Sequence, residues 1–588
     1  MTLYNASPLV VNRSLIPNIF DVLALGLVIG GIILLVYGIH ETTLPKTLVD
    51  LTPVSLDWWR LPEYALRTTL RMLAAVIFSL LFTFIYATLA AKNRYAKIVL
   101  IPILDILQSV PILGFLTFTV IFFMNLYPGR VLGAELAAIF AIFTSQTWNM
   151  TFSFYQSLCN IPKDLEEVSH SFRLSNWQRF WKLDVPFSMP GLVWNTMMSM
   201  SGSWFFVVAS ETITVNDSVI TLPGIGSYVG LAIKDQNLPA VGYALLTMLL
   251  VIIFYDQLLF RPIVAWADKF RFEQTVSASS PNSWVLDLFR RTKALRIVID
   301  SFEKIFSVIG DFFQKISFLP NKVYYHSPEF LKVSRYNQQI YRVMGILWIS
   351  FVFFIALYIS WKAFEYLHTT LRYNDVLNAI NLGLITLLRV AFLVVIATLI
   401  WVPIGTWIGL RPKISAKIQP LAQFLAAFPA NIAFPPFVAF IVYYKLNPNI
   451  WLSSLMILGT QWYILFNVIA GASAFPNDLR EVAKSFHVKG WRWWKNVIIP
   501  GIFPYYITGA ITAFGGAWNA SIVSEVVSWG DMKLSAKGLG AYIAKATEEG
   551  NIPETVLGIV VMCLFVLLFN RFLWRPLYIY SERHFRFD

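Results

Sequence analysis

Apolar stretches close to bilayer-crossing length recur along this chain, at Val22–Tyr37, Leu73–Ala91, Leu132–Leu158, Leu245–Phe260, Ile346–Tyr358 and Val556–Phe569. With their flanks they approach the roughly 20 residues that carry a helix through hydrocarbon. The pattern predicts spans at roughly 20–38, 65–91, 99–125, 131–158, 190–212 and 241–262. A second set follows at roughly 342–362, 378–410, 417–444, 451–474, 504–526 and 553–574. The expected fold class is therefore an all-α membrane protein of about 12 helices.

The two sets are copies of one module. Arg71, Pro102 and Pro111 recur 318 residues later as Arg389, Pro420 and Pro429. Trp148, Glu167, Pro186, Trp204, Glu211, Gly224, Gly226 and Arg261 recur 314 residues later as Trp462, Glu481, Pro500, Trp518, Glu525, Gly538, Gly540 and Arg575. One four-residue length difference between the third and fourth spans accounts for the change of offset. An even number of spans per copy inserts both copies the same way, as parallel six-helix repeats. The expected domains are 1–264 and 342–588, joined by a linker over 265–341.

Charge sets the orientation. Lys92, Arg94 and Lys97 follow the second span, and Arg411, Lys413 and Lys417 follow its counterpart. Cationic loops stay in the cytoplasm, so both termini are expected inside. The linker carries Arg290, Arg291, Lys293 and Arg296 beside apolar residues at helical spacing, which suits amphipathic helices on the membrane surface or a topological tether.

Composition agrees: 57% of the 588 residues are hydrophobic and 13% are charged, with mean hydropathy +0.62. The 46 Lys and Arg against 33 Asp and Glu reflect cytoplasmic loops, and no nucleic-acid partner is expected. The 21 Trp and 25 Tyr fit rings seated at the headgroup layers. Only Cys159 and Cys563 are present, which leaves no disulfide framework or Cys-rich metal site. The first apolar run, near Val22, reads as a retained helix and not a cleaved leader.

Between the fourth and fifth spans of each copy lies a polar segment, 161–186 and 475–500. Each opens on a Pro and places acidic residues in the first helical turn, where the dipole favours them. A turn near Asn176 or Gly490 is expected to separate two short helices, the second beginning near Trp177 or Trp491. The result is a cytoplasmic elbow of the kind that docks into a partner's groove.

At these residues the chain resembles the permease subunits of ATP-binding-cassette importers, whose cytoplasmic loop reads Glu-Ala-Ala, three residues, Gly, then a downstream Pro. Here the runs are Glu167-Val-Ser-His-Ser-Phe-Arg173 and Glu481-Val-Ala-Lys-Ser-Phe-His487, closed by Pro186 and Pro500. The Gly is replaced by Arg173 and His487, which puts the usual tight turn in question; Gly490 offers freedom three residues later. Thr386-Leu-Leu-Arg-Val390 with Thr69-Leu-Arg-Met72, and Gly-Leu-Gly-Ala-Tyr542 with Gly-Ile-Gly-Ser-Tyr228, are similar to the nitrate, sulfonate, taurine and bicarbonate branch. The resemblance implies the type I importer permease fold in a bacterial inner (plasma) membrane. It implies two ATPase subunits docked at Glu167, Val168, Ser171, Phe172, Arg173 and Trp177, and at Glu481, Val482, Ser485, Phe486, His487, Gly490 and Trp491. It also implies an extracytoplasmic substrate-binding protein meeting the polar stretches Ser210–Gln236 and Ser524–Asn551, and a small-anion cargo.

The chain has no Gly-x-x-x-x-Gly-Lys-Ser/Thr loop to hold ATP phosphates, so no cofactor is expected in it. ATP and Mg belong to the ATPase partners. Pathway candidates are polar or aromatic residues that both copies set inside apolar spans: Gln146, Trp148, Asn149, Trp204 and Glu211, with Gln461, Trp462, Asn467, Trp518, Asn519 and Glu525. Their bland role is bonding between helices or anchoring at interfaces. Arg71 and Arg389, near the outer ends of their spans, suit snorkelling to the headgroups. An ion-coupled carrier is the alternative. It wants a coupling carboxylate deep in a span, and Asp105 is answered in the second copy by Gln423. A membrane enzyme would want a His/Asp/Glu cluster, and the six His are scattered.

Overall fold

The computed structural model describes residues 54–270, 283–292 and 371–584 almost continuously, with isolated positions between 26 and 30 and between 348 and 370. The expected spans at 20–38 and 342–362, and most of the linker, lie outside the described residues.

In the first copy the described helices are α1 (Leu61–Lys92), α2 (Arg94–Ser109), α3 (Ile112–Leu126), α4 (Leu132–Cys159), α5 (Lys163–Ser171), α6 (Asn176–Arg179) and α7 (Val185–Ser210). A hairpin, β1 (Thr212–Val215) with β2 (Ser218–Thr221), leads to α8 (Ile225–Lys234), α9 (Leu238–Tyr255), α10 (Arg261–Ala267) and the linker helix α11 (Trp284–Arg291). The second copy repeats the order. It runs α12 (Tyr373–Gly409), α13 (Pro412–Ala427), α14 (Phe434–Tyr443), α15 (Pro448–Trp451), α16 (Ser453–Leu458), α17 (Gln461–Ser473), α18 (Asn477–Ser485), α19 (Gly490–Trp493) and α20 (Ile499–Ser524). It closes with β3 (Val526–Trp529), β4 (Met532–Ser535), α21 (Leu539–Glu548), α22 (Ile552–Phe569) and α23 (Arg575–His584).

Among the described residues five helical stretches are long and apolar enough to cross a membrane: Trp58–Lys92, Leu238–Ala267, Tyr373–Gly409, Gly490–Ser524 and Ile552–Ser581. Pro448–Leu458 and Gln461–Ser473 meet the same criterion only together, across a 40° bend, and count as a sixth if the pair is one span. Helices α4 and α7 are as long as spans but more polar, because they bury small and hydroxyl side chains against neighbours. Thr83 and Thr151 oxygens meet at 3.1 Å between α1 and α4, and Ser145 and Ser203 at 2.6 Å between α4 and α7. Small and hydroxyl residues let membrane helices approach closely where lipid offers no hydrophobic gain.

The third span of the second copy, expected as one helix, is two: α13 gives way to α14 through a 3₁₀ turn at Ala430–Ala433. In the first copy α2 and α3 lie on either side of residues 110–111, which are outside the described residues. Pro429 leads that turn, where a Pro cannot donate to a continuing helix. The polar stretches after the fifth spans, expected as loops, are antiparallel hairpins pairing Thr212 with Thr221 and Val526 with Ser535. Single π-helical turns also recur at the 314-residue offset, at Phe180–Asp184 and Trp494–Ile498, and at Asp256–Phe260 and Asn570–Trp574.

The chain divides into two compact units. One takes in 161–190 and 255–326 of the described chain, and the other takes in 40–160, 191–254 and 327–588. The larger unit contains the main core, in which Ile112, Leu116, Ala137 and Ala141 of the first copy pack with Ile464, Phe514, Trp518 and Met562 of the second. Gly405 and Gly409 of α12 lie one helical turn apart against α17, where a Cβ on Gly409 would come within 2.6 Å of the Ile469 carbonyl.

Candidate functional site

The elbow in the smaller unit begins at Pro162, which caps α5 with Asp164 and Glu166 in its first turn. Its helix ends in a Schellman turn: Arg173 N–H donates to the His170 carbonyl (2.9 Å) and Leu174 N–H to the Ser169 carbonyl (3.1 Å). The same bonds close α18, from His487 to Lys484 (3.0 Å) and Val488 to Ala483 (2.9 Å). Arg173 and His487 sit in the left-handed region, at φ 49° and 54°. The tight turn is therefore kept without glycine, and it lies three residues before Asn176 and Gly490, where the sequence pattern set it. Gly490, at φ 61°, instead begins the second short helix.

Glu167, Val168, Ser171, Phe172, Arg173 and Trp177 are all exposed on this elbow, as are Glu481, Val482, Ser485, Phe486, His487, Gly490 and Trp491 on the other. Phe172 is 75% exposed, Phe486 78%, Trp491 73% and Trp177 39%. Large exposed rings on a turn mark a candidate contact surface. The elbows differ in bracing. Ser175 caps α6 in a reciprocal box with Gln178 and Arg179 pairs with Glu166, whereas Arg480, at the Glu166 position, donates to the Leu410 carbonyl (3.3 Å).

In the larger unit each copy has a buried lock. Arg71 donates through Nη1 to Glu211 (2.6 Å), through Nε and Nη2 to Glu135 (2.6 and 2.7 Å), and to the Pro223 carbonyl (3.0 Å). Glu211 also accepts from Thr68 (2.6 Å) and from the Gly226 N–H (2.6 Å), so it ties α1 to the start of α8. In the second copy Arg389 (2.8 Å), Thr386 (3.0 Å) and the Ala541 N–H (2.9 Å) converge on Glu525. Asn449 stands at the Glu135 position and accepts from the Lys537 N–H (2.8 Å). Arg71 thus does not snorkel: its side chain is 4% exposed, and that of Arg389 is 11% exposed. The hydroxyl equivalent to Thr386 is Thr68, not Thr69. A Cβ on Gly224 or Gly538 would fall on the lock carboxylate beside it, which explains glycine at both positions. Beside the first lock, Tyr228 donates to the Leu56 carbonyl (3.0 Å), and burial pushes its hydroxyl above the usual range.

The third spans are clasped across the copies. Ile112 N–H, at the start of α3, donates to the Asn519 side chain (3.0 Å). Asn431, in the 3₁₀ turn, donates to the carbonyl of Phe205 (3.1 Å), the residue equivalent to Asn519. Beyond these clasps lies a cavity of about 360 Å³, walled by α3, α7, β1 and α8 of one copy and by α14, α20, β3 and α21 of the other.

The pathway candidates lie around this frame. Gln146 is fully buried, and its side-chain atoms have no hydrogen-bond partner among the described residues. Trp148 packs edge-on against Phe82 (5.9 Å), and exposed Asn149 accepts from Gln108 (3.2 Å). Gln461 accepts from Trp401 (3.0 Å), whose ring lies 5.0 Å from that of Trp462. Asn467 donates to the Tyr463 carbonyl (2.8 Å). Trp204 and Trp518 are buried in the core, and Glu211 and Glu525 are the lock carboxylates. None of these residues lines the cavity. Its polar residues, Thr212, Asn431, Ser528 and Thr547, were not singled out by sequence, although Thr212 and Thr547 show in it as hydroxyls facing Val526 and Ile233 under the repeat offset.

The family model of the binding-protein-dependent transport system inner membrane component matches twice, over 84–259 and 401–574, more than half of the chain. The bicarbonate transport system permease protein CmpB of Synechococcus elongatus is 28% identical over 187 residues, 32% of this chain and 64% of that one. The nitrate import permease protein NrtB of Leptolyngbya laminosa is 25% identical over 185 residues, 32% of this chain and 63% of its own. The glycine betaine permease OpuAB of Bacillus subtilis is 26% identical over 180 residues, 31% and 57%. The chain thus spans under two thirds of the length of these relatives. With two matched modules on a helical, membrane-spanning frame, the chain belongs to the binding-protein-dependent transport system inner membrane component family of ABC permeases.

Proposed function

We propose that this chain is the complete pair of permease halves of an ATP-driven importer, fused through the 265–341 linker. Residues 1–264 and 342–588 each supply about six spans, related as parallel repeats, with both termini in the cytoplasm. Two ATPase subunits, which hold ATP and Mg, dock on the elbows. Phe172 and Phe486 enter their grooves, while Glu167 and Glu481 meet cations on the groove rim. Closure of the ATPases pulls on α7 and α20 through the π-helical turns that join them to the elbows. A separate extracytoplasmic binding protein delivers cargo at the hairpins. The cargo is a small solute, and the names of the bicarbonate and nitrate relatives point toward small anions.

The observation that carries this reading is the duplicated elbow: the same turn at two sites 314 residues apart, each exposing a phenylalanine at its tip. An ion-coupled carrier has no use for such a pair. Purification of the tagged chain from native membranes, with mass spectrometry of what accompanies it, tests the reading. A phosphate-loop ATPase at two per chain is expected, and its loss from a Glu167→Ala/Glu481→Ala variant. Intact chain arriving without any ATPase after crosslinking in the membrane would sink it.

A further inference from the structure

The cavity walled by both copies is built from equivalent positions. Leu116 faces the place of Phe434 under the 318-residue offset, and Val208 that of Ile522 under the 314-residue offset. A space lined by matched residues of two parallel repeats lies on their shared pathway. We propose that cargo is held here, and that the cavity selects a small organic solute with an aliphatic body over a bare inorganic anion; this rests on the importer reading above.

Three features argue for that class. The 360 Å³ volume falls at the small end of the roughly 300–1,000 Å³ of ligand sites. A bare three-oxygen anion fills at most about 90 Å³, taking each oxygen at the ~30 Å³ of a water. Among the described residues no Asp, Glu, Lys, Arg or His lines the cavity, so a bare anion would lose its water without meeting a counter-charge, and hydroxyls alone do not repay that loss. Half of the wall, nine of its 18 residues, is valine, isoleucine, leucine or phenylalanine, which favours a hydrocarbon body.

Three of the four polar wall residues, Thr212, Asn431 and Thr547, sit where the copies differ, while Ser528 answers Thr214. Thr212 answers Val526, and Thr547 answers Ile233, so each copy sets a hydroxyl against an aliphatic side chain of the other. Asn431 is oriented by the Phe205 carbonyl, which can only accept, so its Oδ1 is left as an acceptor. Neither that atom nor Thr212 Oγ1 has a hydrogen-bond partner among the described residues. Matched aliphatic walls with unmatched hydroxyls hold an unsymmetrical solute in one orientation.

The test uses the full chain in lipid nanodiscs with Cys159→Ser and Cys563→Ala, carrying Thr547→Cys or Ser528→Cys, and Tyr443→Cys as an exposed control. Labelling by methyl methanethiosulfonate is timed with pentanamide, N-methylbutanamide, sodium nitrate or sodium bicarbonate. The organic probes are expected to slow labelling at both cavity positions at least threefold and leave the control unchanged, while the inorganic salts do neither. Ala544→Phe, which fills the space, should abolish the protection. Equal protection by nitrate or bicarbonate, no protection by any probe, or cavity cysteines that never label would each overturn the proposal. ATPase co-purification scored on the same material separates the two claims. ATPase present without organic protection sinks this inference alone, and ATPase absent sinks the importer reading.

Discussion

The two buried locks share a design but not a charge count, and that difference fixes how each responds to the same substitution. In Glu211→Gln the amide oxygen still accepts from the Gly226 N–H, and Arg71 keeps its two bonds to Glu135. The arginine remains neutralised, so the cost is that of weakening one charge-assisted bond, about 1 kcal/mol. In Glu525→Gln, Arg389 loses the one carboxylate that the structure pairs with it, because the Glu135 position is Asn449. A cation whose side chain is 11% exposed is left unpaired, and breaking such a buried pair costs roughly 3–5 kcal/mol. Glu525→Gln should therefore destabilise more than Glu211→Gln by about 2–4 kcal/mol. Adding Glu135→Gln to Glu211→Gln should bring the first lock down to the level of the second. The assay is the fraction of monodisperse protein that survives a temperature series in detergent, read by fluorescence-detected size exclusion on one fusion. The reasoning is refuted if Glu211→Gln is as damaging as Glu525→Gln, or if the Glu135→Gln/Glu211→Gln pair is no worse than the single change.

Other expectations follow from the elbows and the packing. Phe172→Ala and Phe486→Ala, at exposed tips, should shift stability by less than about 0.5 kcal/mol, yet lose ATPase in pull-downs; retention of the ATPase by both would contradict docking there. Arg173→Gly and His487→Gly relieve a left-handed residue and should leave the turn intact or firmer by up to ~1 kcal/mol. Arg173→Val should loosen it by a similar amount, with amide exchange at Leu174 as the readout. Gly409→Leu must push α12 off the Ile469 carbonyl, so the variant should express poorly or arrive aggregated, whereas Gly242→Leu, whose Cβ would meet nothing, should be tolerated.

Much of the frame was legible from spacing. Hydrophobic runs placed the described spans to within a few residues, since lipid leaves a helix little choice but to satisfy its own backbone. What the runs did not give were local features: the break at Ala430, the side-chain clasp on the Ile112 N–H, the hairpins at Thr212 and Val526, and the π-helical turns. Each depends on a tertiary partner that supplies the missing bond, such as Asn519 for the Ile112 N–H, and hydropathy is blind to partners. The alternation Thr-Ile-Thr-Val and the Gly530 turn were the available hints of the hairpins. The elbow turn was misplaced for a related reason. Gly490 looked like the natural turn residue, while Arg173 and His487, though unfavoured in a left-handed conformation, are held there by the paired C-terminal bonds of the helix.

The residues that the two copies share are the ones that hold the module together. Thr68 with Thr386, Arg71 with Arg389, Glu211 with Glu525 and Trp204 with Trp518 are identical because each copy must build the same lock and the same core. A search for polar residues present in both copies therefore gathers scaffold. The cavity obeys the opposite rule. Two identical walls would hold an unsymmetrical solute equally well in either of two orientations, so a single orientation must be set where the copies disagree, as at Thr212/Val526 and Thr547/Ile233. Fusion in one chain allows that disagreement, since the halves of a homodimer would change together. Exchange of the unlike pairs, Thr212→Val with Val526→Thr, keeps the composition of the cavity and moves one hydroxyl to the other wall. If the unlike positions set orientation, the exchange should alter which organic probe protects Thr547→Cys while the Glu211 and Glu525 locks hold the fold. Unchanged probe selectivity would mean that the asymmetry of the copies has no part in recognition.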